Sequence, residues 1–338
     1  MNKLAGPVLV MGAGSIGCYL GGLLAAAGEE VHFVARARVM AALRAHGLRV
    51  TDLDGHDRSL PASSLHLLES PPAHLAPALT LLCVKSIATT DAAAQLQSAL
   101  PAGSVVVSMQ NGIGNAERAR ESAPSLTWLS GMVPFNVAEL SPGHFHRGTG
   151  GALAAQAHPA LDALAAAFAT QGLRLKQYPD LAAVQWGKLL INLNNPVNAL
   201  SGQPLRAELM ERGYRRCFAA LQEEGLRVLA AAGIQPAQVT ALPSDKLVKV
   251  LRLPTFALKL VAKKMLAIDP KARSSMADDL ALGRKTEIDA LSGEIVRLAA
   301  RVGLAAPLNE RMLALVHACE QQRRSYAPRE LEQALGLH

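Results

Sequence analysis

The residues best suited to chemistry in this chain fall into two groups, one near the N-terminus and one past the middle. The first is Gly12-Ala13-Gly14-Ser15-Ile16-Gly17, a G-x-G-x-x-G turn that follows the apolar run Val8-Leu9-Val10-Met11 and opens a helical stretch. Between a strand and a helix these spacings suit a dinucleotide. Gly12 permits the tight turn, Gly14 lets the backbone approach a pyrophosphate, and Gly17 lets the helix pack close to the strand. Farther on, where an acid would bind a ribose 2′-hydroxyl, the second strand ends in Ala35-Arg36-Ala37-Arg38. A guanidinium suits a 2′-phosphate, so Arg36, with Arg38 as a helper, points to NADP(H); the alternative is a solvated arginine at a strand end. Lys85 follows the apolar run 81–84, and Asn111 follows 105–110. Both stand where an open parallel sheet places its ligand crevice, and the alternative for each is a loop residue capping its own turn.

The second group begins at Trp186-Gly187-Lys188-Leu189-Leu190-Ile191-Asn192-Leu193-Asn194-Asn195-Pro196. On a helix, positions 188, 192 and 195 are i, i+4 and i+7, which predicts Lys188, Asn192 and Asn195 on one face of an otherwise apolar element. Pro196 should end or kink that helix, and Asn194 and Asn195 have helix capping as their alternative reading. Farther on, Ser275 and Asp278 fit a capping box at the start of a helix whose free N–H groups suit a carboxylate. Asp279, Gly283 and Glu287 then follow at four-residue steps, and an inward glutamate needs a partner, for which Lys188 is the candidate.

The elements that must position these groups follow from the hydrophobic pattern. β-rich runs at 8–11, 30–34, 79–84 and 104–108 alternate with helical ones to about residue 27 and near 39–46 and 90–100, the βαβ pattern of a parallel sheet. A last α/β unit spans 161–177. Beyond it, helical segments are expected at 184–193, 207–232, 247–266, 275–302 and 308–322. The chain is therefore read as α/β: a Rossmann-type parallel-sheet domain over 1–178 and an all-α substrate domain over 179–338.

Composition narrows the partners. The 338 residues are 50% hydrophobic and 18% charged, with a formal net charge of +7, which fits a globular chain and excludes collagen, coiled coil and a small disulfide scaffold. Cys18, Cys83, Cys217 and Cys319 form no C-x-x-C pair and suggest neither zinc nor a disulfide framework. No metal is called for, and a reducing cytoplasm without targeting or membrane segment is expected. Most of the positive excess lies in the second part, in the window 240–273, with Lys246, Lys249, Arg252, Lys259, Lys263, Lys264, Lys271 and Arg273 against Asp245 and Asp269. This window reads first as a solvated helix face and second as a surface for steering anions or binding a partner. With Phe256 its one aromatic, it gives little support to nucleic acid. The apolar face of 207–232 is either domain core or a homodimer contact.

Taken together these motifs resemble the ketopantoate reductase family from Val8 to about Gln322. The resemblance rests on the glycine turn with Arg36, on Val84-Lys85-Ser86, on Gln110-Asn111-Gly112-Ile113-Gly114, on Trp186-Gly187-Lys188-Leu189 with Asn192, and on Ser275 ahead of Thr286-Glu287-Ile288-Asp289. It implies NADPH-dependent reduction of 2-dehydropantoate to (R)-pantoate, a step toward pantothenate and coenzyme A, in a cleft between the two domains. It implies that Gly12, Ala13, Gly14, Ser15, Ile16, Gly17, Arg36, Lys85 and Asn111 hold the cofactor, with Val137 and Glu287 beside it. It makes Lys188 the proton donor and Lys188, Asn192, Asn195 and Ser275 the substrate contacts, Glu287 standing near the lysine. The family commonly has a second asparagine eight residues after the lysine; here that position is Pro196, and Asn195 stands one step earlier. A further asparagine of some members corresponds to Arg206. Hydride arriving at a ketone drives charge onto its oxygen, which an ammonium stabilises and protonates. The competing readings are a reductase of another bulky 2-oxoacid and, in a different class, a non-catalytic NADP-binding sensor; binding to DNA is a remote third.

Overall fold

The computed structural model describes residues 3–73, 75–261 and 272–337. The chain divides into two compact units, Met1–Leu181 and Ala182–His338.

The first unit runs β1 (Val8–Met11), α1 (Ser15–Ala26), β2 (Val31–Val34), α2 (Ala37–His46), β3 (Leu48–Asp52), β4 (Asp57–Leu60), β5 (His66–Leu68), β6 (Leu79–Leu82), α3 (Thr89–Ala99), β7 (Val105–Ser108), α4 (Asn115–Ser122), β8 (Thr127–Met132), β9 (Val137–Ser141), β10 (His144–Arg147), β11 (Leu153–Gln156), α5 (Leu161–Thr170) and β12 (Leu175–Tyr178). Eight strands form one sheet in the order β12-β11-β8-β7-β6-β1-β2-β5. All neighbours are parallel except β8 and β11. The central strands have the sequences VLVM and LTLL and are buried throughout, because helices cover both faces. Alternate side chains of β1 serve two cores. Val8 and Val10 join Leu20 and Leu24 of α1 and Leu164 and Phe168 of α5, while Leu9 and Met11 join Leu96 of α3 and Ala119 of α4.

A second sheet, order β4-β3-β10-β9, lies outside what the sequence suggested. Its central pair, β3 and β10, is parallel and joins Leu48–Asp52 to His144–Arg147.

The second unit is helical: α6 (Ala182–Asn192), α7 (Asn194–Ser201), α8 (Leu205–Met210), α9 (Arg212–Ala231), α10 (Ser244–Leu251), α11 (Thr255–Val261), α12 (Ser275–Ala281), α13 (Ser292–Arg301), α14 (Pro307–Gln321) and α15 (Pro328–Leu335). The long α9 is its axis, packed against seven of the other nine described helices, α6, α7, α8, α10, α13, α14 and α15. Several expected helices are interrupted. The segment 207–232 breaks at Glu211 into α8 and α9, and 247–266 breaks before α11 at Pro254. The expected continuous helix 275–302 stops at Ala281, turns at Gly283 (φ +63°) and resumes at Ser292, with a 3-10 turn Ile288–Ala290 between. Glu287 therefore does not share a helical stripe with Asp279.

Of the basic window, Lys246, Lys249, Arg252 and Lys259 lie on or beside α10 and α11, whereas Lys263, Lys264, Asp269 and Lys271 lie outside the described residues. Arg252 pairs with Glu223, and Arg273 stands 3.7 Å from Asp278. No helix among the described residues is long and apolar enough to cross a membrane.

Candidate active site

In the first unit, parallel pairing brings four sequence-predicted groups to one edge. Met11 is in register with Val34 and with Leu82, and Leu82 with Ser108, so β1, β2, β6 and β7 finish side by side. The glycine turn follows the first of these strand ends, Arg36 the second, Lys85 the third and Asn111 the fourth. The strand order reverses between β1 and β6, the place where open α/β sheets bind ligands.

The glycines are there for space. Gly12 has φ +99°, and a Cβ on it would stand 2.6 Å from Val84 Cγ1. A Cβ on Gly17 would meet the Gly12 carbonyl oxygen at 2.4 Å, which is how closely α1 approaches the turn. Gly14 is different, with no atom within 4 Å of where its Cβ would be. It is the N-cap of α1 and offers no capping side chain, so the first amides of the helix keep their donors for a ligand. Ala13, Ser15 and Ile16 complete this turn. These features fit a dinucleotide pyrophosphate.

Arg36 is exposed at the head of α2, and its guanidinium forms no hydrogen bond or ion pair among the described residues. Arg38 is committed elsewhere, donating to Glu139 of β9 at 3.0 Å. Lys85 is half-buried and precedes the 3-10 turn Ser86–Ala88. The carbonyl of Asn111 accepts from Ser86 Oγ at 3.0 Å and Asn115 Nδ2 at 2.8 Å, and Gln110 Nε2 donates to the Val84 carbonyl at 3.0 Å. The loops after β6 and β7 are thereby tied together. Val137 opens β9 in the second sheet, half-buried against the apolar core.

In the second unit, α6 carries Lys188 and Asn192 one turn apart, both half-buried. Burial draws the Lys188 ammonium down to about 8, and the charge of Glu287 works against that fall. Glu287 acts on Lys188 from the turn ahead of Ile288 and not from a helix stripe. Asn195 is half-buried and stands in the first turn of α7. The helix breaks at Leu193, between α6 and α7, because Pro196 has no N–H for the Asn192 carbonyl and its ring crowds that oxygen. Asn194 is buried and donates to Glu208 Oε2 at 3.0 Å, a structural role.

Ser275 is the first residue of α12 and is exposed, but the N-cap is Ser274, one residue earlier than expected. Its side chain accepts from the Ala277 amide at 3.1 Å. The serine that fixes this helix is therefore distinct from the one it presents. Sequence reasoning passed over the support beneath it: Asn198 Oδ1 accepts from the Ser274 amide at 2.9 Å. Its signal was the four-residue spacing of Asn194 and Asn198 on one helix.

Two clusters in the first unit bring metal-ligating atoms together, Glu30 with His32 and His66, and Asp52 with Asp54 and His56. The rings of His32 and His66 stack at 4.7 Å with 10° between their planes, so one ion cannot lie in the plane of both. Asp52 is already engaged by His56 at 3.0 Å and by Arg147 at 3.6 Å.

Comparison with known proteins covers both units. The family described as ketopantoate reductase PanE/ApbA matches residues 8–160, and its C-terminal counterpart matches 180–320. A 2-dehydropantoate 2-reductase of Halobacterium salinarum is 30% identical over 322 residues, 93% of this chain and 99% of that protein. One of Pyrococcus horikoshii is 28% identical over 93% and 97% of the two chains. Among solved structures, a PanE/ApbA family ketopantoate reductase from Ralstonia eutropha JMP134 superposes with a TM-score of 0.78 at 31% identity, covering 94% of this chain and 99% of that one. A D-mandelate dehydrogenase, solved with NADH and anilino(oxo)acetate, shares the fold with a TM-score of 0.77 at 20% identity over 94% and 99% of the two chains.

Proposed function

This chain belongs to the ketopantoate reductase family and is an oxidoreductase, and from that premise we propose that it reduces 2-dehydropantoate to (R)-pantoate with NADPH. The observation that carries the reading is Lys188, an ammonium drawn to about 8 by burial, opposed by Glu287 and one turn from Asn192. In the first unit, the amides at the head of α1 take the pyrophosphate, Arg36 takes the 2′-phosphate, and Lys85, Asn111 and the Val137 backbone complete the cofactor site. Bound NADPH supplies the hydride for the keto carbon. In the second unit, Asn192, Asn195 and Ser275 hold the oxoacid. Lys188 stabilises the growing charge on the keto oxygen and delivers a proton from Nζ, while Glu287 favours the protonated lysine. A cytoplasmic location is supported by four free cysteines, and the product would feed pantothenate and coenzyme A synthesis.

The test is NADPH oxidation with 2-dehydropantoate and a panel of other 2-oxoacids, for the wild type and Lys188→Ala. Turnover of 2-dehydropantoate that collapses in the variant is the expected result. Cofactor binding without turnover of any oxoacid would instead favour a sensor. Pro196 favours one second reading, a reductase of another bulky 2-oxoacid, because an imide nitrogen and a buried ring stand where the family commonly offers an amide. The same panel decides between them.

A further inference from the structure

The second unit buries a carboxyl group that the reaction above does not use. Glu208, on α8, is fully excluded from solvent. Its Oε2 accepts from Asn194 Nδ2 at 3.0 Å and from Asn198 Nδ2 at 3.4 Å, both on α7. Its Oε1 and the Oδ1 of Asn194 are both buried without a hydrogen-bond partner. Arg215, also fully buried, spends its donors on the carbonyls of Leu209, Leu251 and Leu253 and on the Thr255 hydroxyl, and forms no ion pair with Glu208.

An ionised carboxylate in this place would be a buried charge with one oxygen unsatisfied, an expensive arrangement. A carboxylic acid would carry a proton on Oε1 to donate, and the Oδ1 of Asn194, whose Nδ2 already holds Oε2 at 3.0 Å, is a spare acceptor. Burial accordingly pushes Glu208 up to about 8, against the pull of both amides and of Arg215.

The same network runs on to the site. Besides binding Glu208, Asn198 donates to the Gln203 carbonyl at 3.0 Å and accepts from the Ser274 amide at 2.9 Å. The Ser274 hydroxyl donates to the Asn195 carbonyl at 3.2 Å while capping α12, whose first residue is Ser275. We propose that Glu208 is a positioning residue for the oxoacid site: through Asn194 and Asn198 it fixes α7 against the N-cap of α12, and so sets Ser275 relative to Asn192 and Asn195. The proposal rests on the reading that these three residues contact the oxoacid.

The experiment is steady-state kinetics of the full chain with NADPH and 2-dehydropantoate for the wild type, Glu208→Ala, Glu208→Gln and Asn198→Ser, with NADPH affinity measured in parallel by fluorescence titration. Glu208→Ala should raise the oxoacid KM by about tenfold with kcat within about threefold, and leave NADPH affinity unchanged. Glu208→Gln should restore the wild-type KM at neutral pH, since its amide offers the donor and acceptor of the neutral acid. Among the described residues, the charged and titratable groups that act on Glu208 are Arg215, Tyr214 and Cys217 of α9; Tyr214 and Cys217 are pushed up to about 12 and stay neutral near 8. The wild-type KM should therefore climb relative to that of Glu208→Gln as pH rises through about 8, Lys188 titrating in both proteins. An unchanged KM in Glu208→Ala, or a raised KM that glutamine does not restore, overturns the proposal. If the alanine variant does not fold, Asn198→Ser decides on the same criterion. A wild type that binds NADPH but turns over no 2-oxoacid removes the functional reading and this proposal with it, an outcome distinct from a KM insensitive to Glu208.

Discussion

Glu287 and Lys188 act on each other from different elements, the carboxylate ahead of the turn Ile288–Ala290 and the ammonium on α6, and their interaction opposes the desolvation of the lysine. Burial prevails and leaves Lys188 at about 8, so the charged form is available at neutral pH and can give up its proton readily. If Lys188 is the proton donor proposed above, reduction of the oxoacid should hold steady below that value and decline as pH rises through about 8. Glu287→Gln removes the opposing attraction, lowers the lysine further and should move the basic limb of the pH–rate profile to lower pH. A limb that stays in place, or moves up, would contradict this coupling. Lys188→Ala should reduce kcat by about 10²–10⁴-fold below pH 8, the gap narrowing as the wild type loses its proton above that value.

Gly14 and Gly17 of the turn should respond differently to alanine. At Gly17 the new methyl would stand 2.4 Å from the Gly12 carbonyl oxygen, and the helix must move away from the strand. We expect a loss of about 1–3 kcal/mol, read as a lower Tm without cofactor. At Gly14 there is open space, so Gly14→Ala should leave that Tm nearly unchanged and weaken NADPH binding, because the methyl occupies the room a pyrophosphate needs. Equal loss of stability in the two variants would show that the space at Gly14 is structural.

These contrasts also show what the chain discloses without its coordinates. The ends of β1, β2, β6 and β7 are readable because each strand is a short apolar run closed by a turn, and parallel register then aligns them. The sheet of β3, β4, β9 and β10 is not readable, since its strands are short, mixed in polarity and joined across the long separation from Leu48–Asp52 to His144–Arg147. Residues 275–302 read as one helix from composition alone, but the left-handed Gly283 closes α12, the Arg284 amide donating to the Asp279 carbonyl at 2.8 Å, and a distant contact holds the chain that follows. The Thr286 amide and hydroxyl each donate to Glu320 Oε1 of α14 at 2.7 Å, holding the chain in a turn. That turn, invisible to helical periodicity, brings Glu287 to bear on Lys188. The support from Asn198 and Glu208 was hidden because Ser274 meets Asn198, and Glu208 meets Asn194 and Asn198, only through folding.

Arg36 and Arg38 are two residues apart, yet they should differ in effect. Arg36 has no partner among the described residues, whereas Arg38 is held by Glu139. Arg36→Ala should therefore raise the KM for NADPH by about tenfold or more while leaving the KM for NADH nearly unchanged. Arg38→Ala should change the ratio of the two much less. Comparing the KM values for both cofactors across the two variants is the check, and a larger loss in Arg38→Ala would reassign the 2′-phosphate contact.

Glu208 makes a prediction about stability that requires no substrate. In the folded chain it keeps its proton up to about 8, whereas unfolded it releases it near the ordinary 4.5. Between those values the native state binds more protons than the unfolded state, so this residue's contribution falls as pH rises across the window and levels off above it. Glu208→Gln has no proton to lose. Relative to the wild type, the glutamine protein should gain stability from about pH 5 to about pH 9, by about 2–4 kcal/mol, with every other titrating group common to both. Urea unfolding of the two proteins at each end of that range measures the difference directly. A difference that does not change with pH would mean that Glu208 is ionised in the folded chain, and the acid–amide pairing with Asn194 would have to be abandoned.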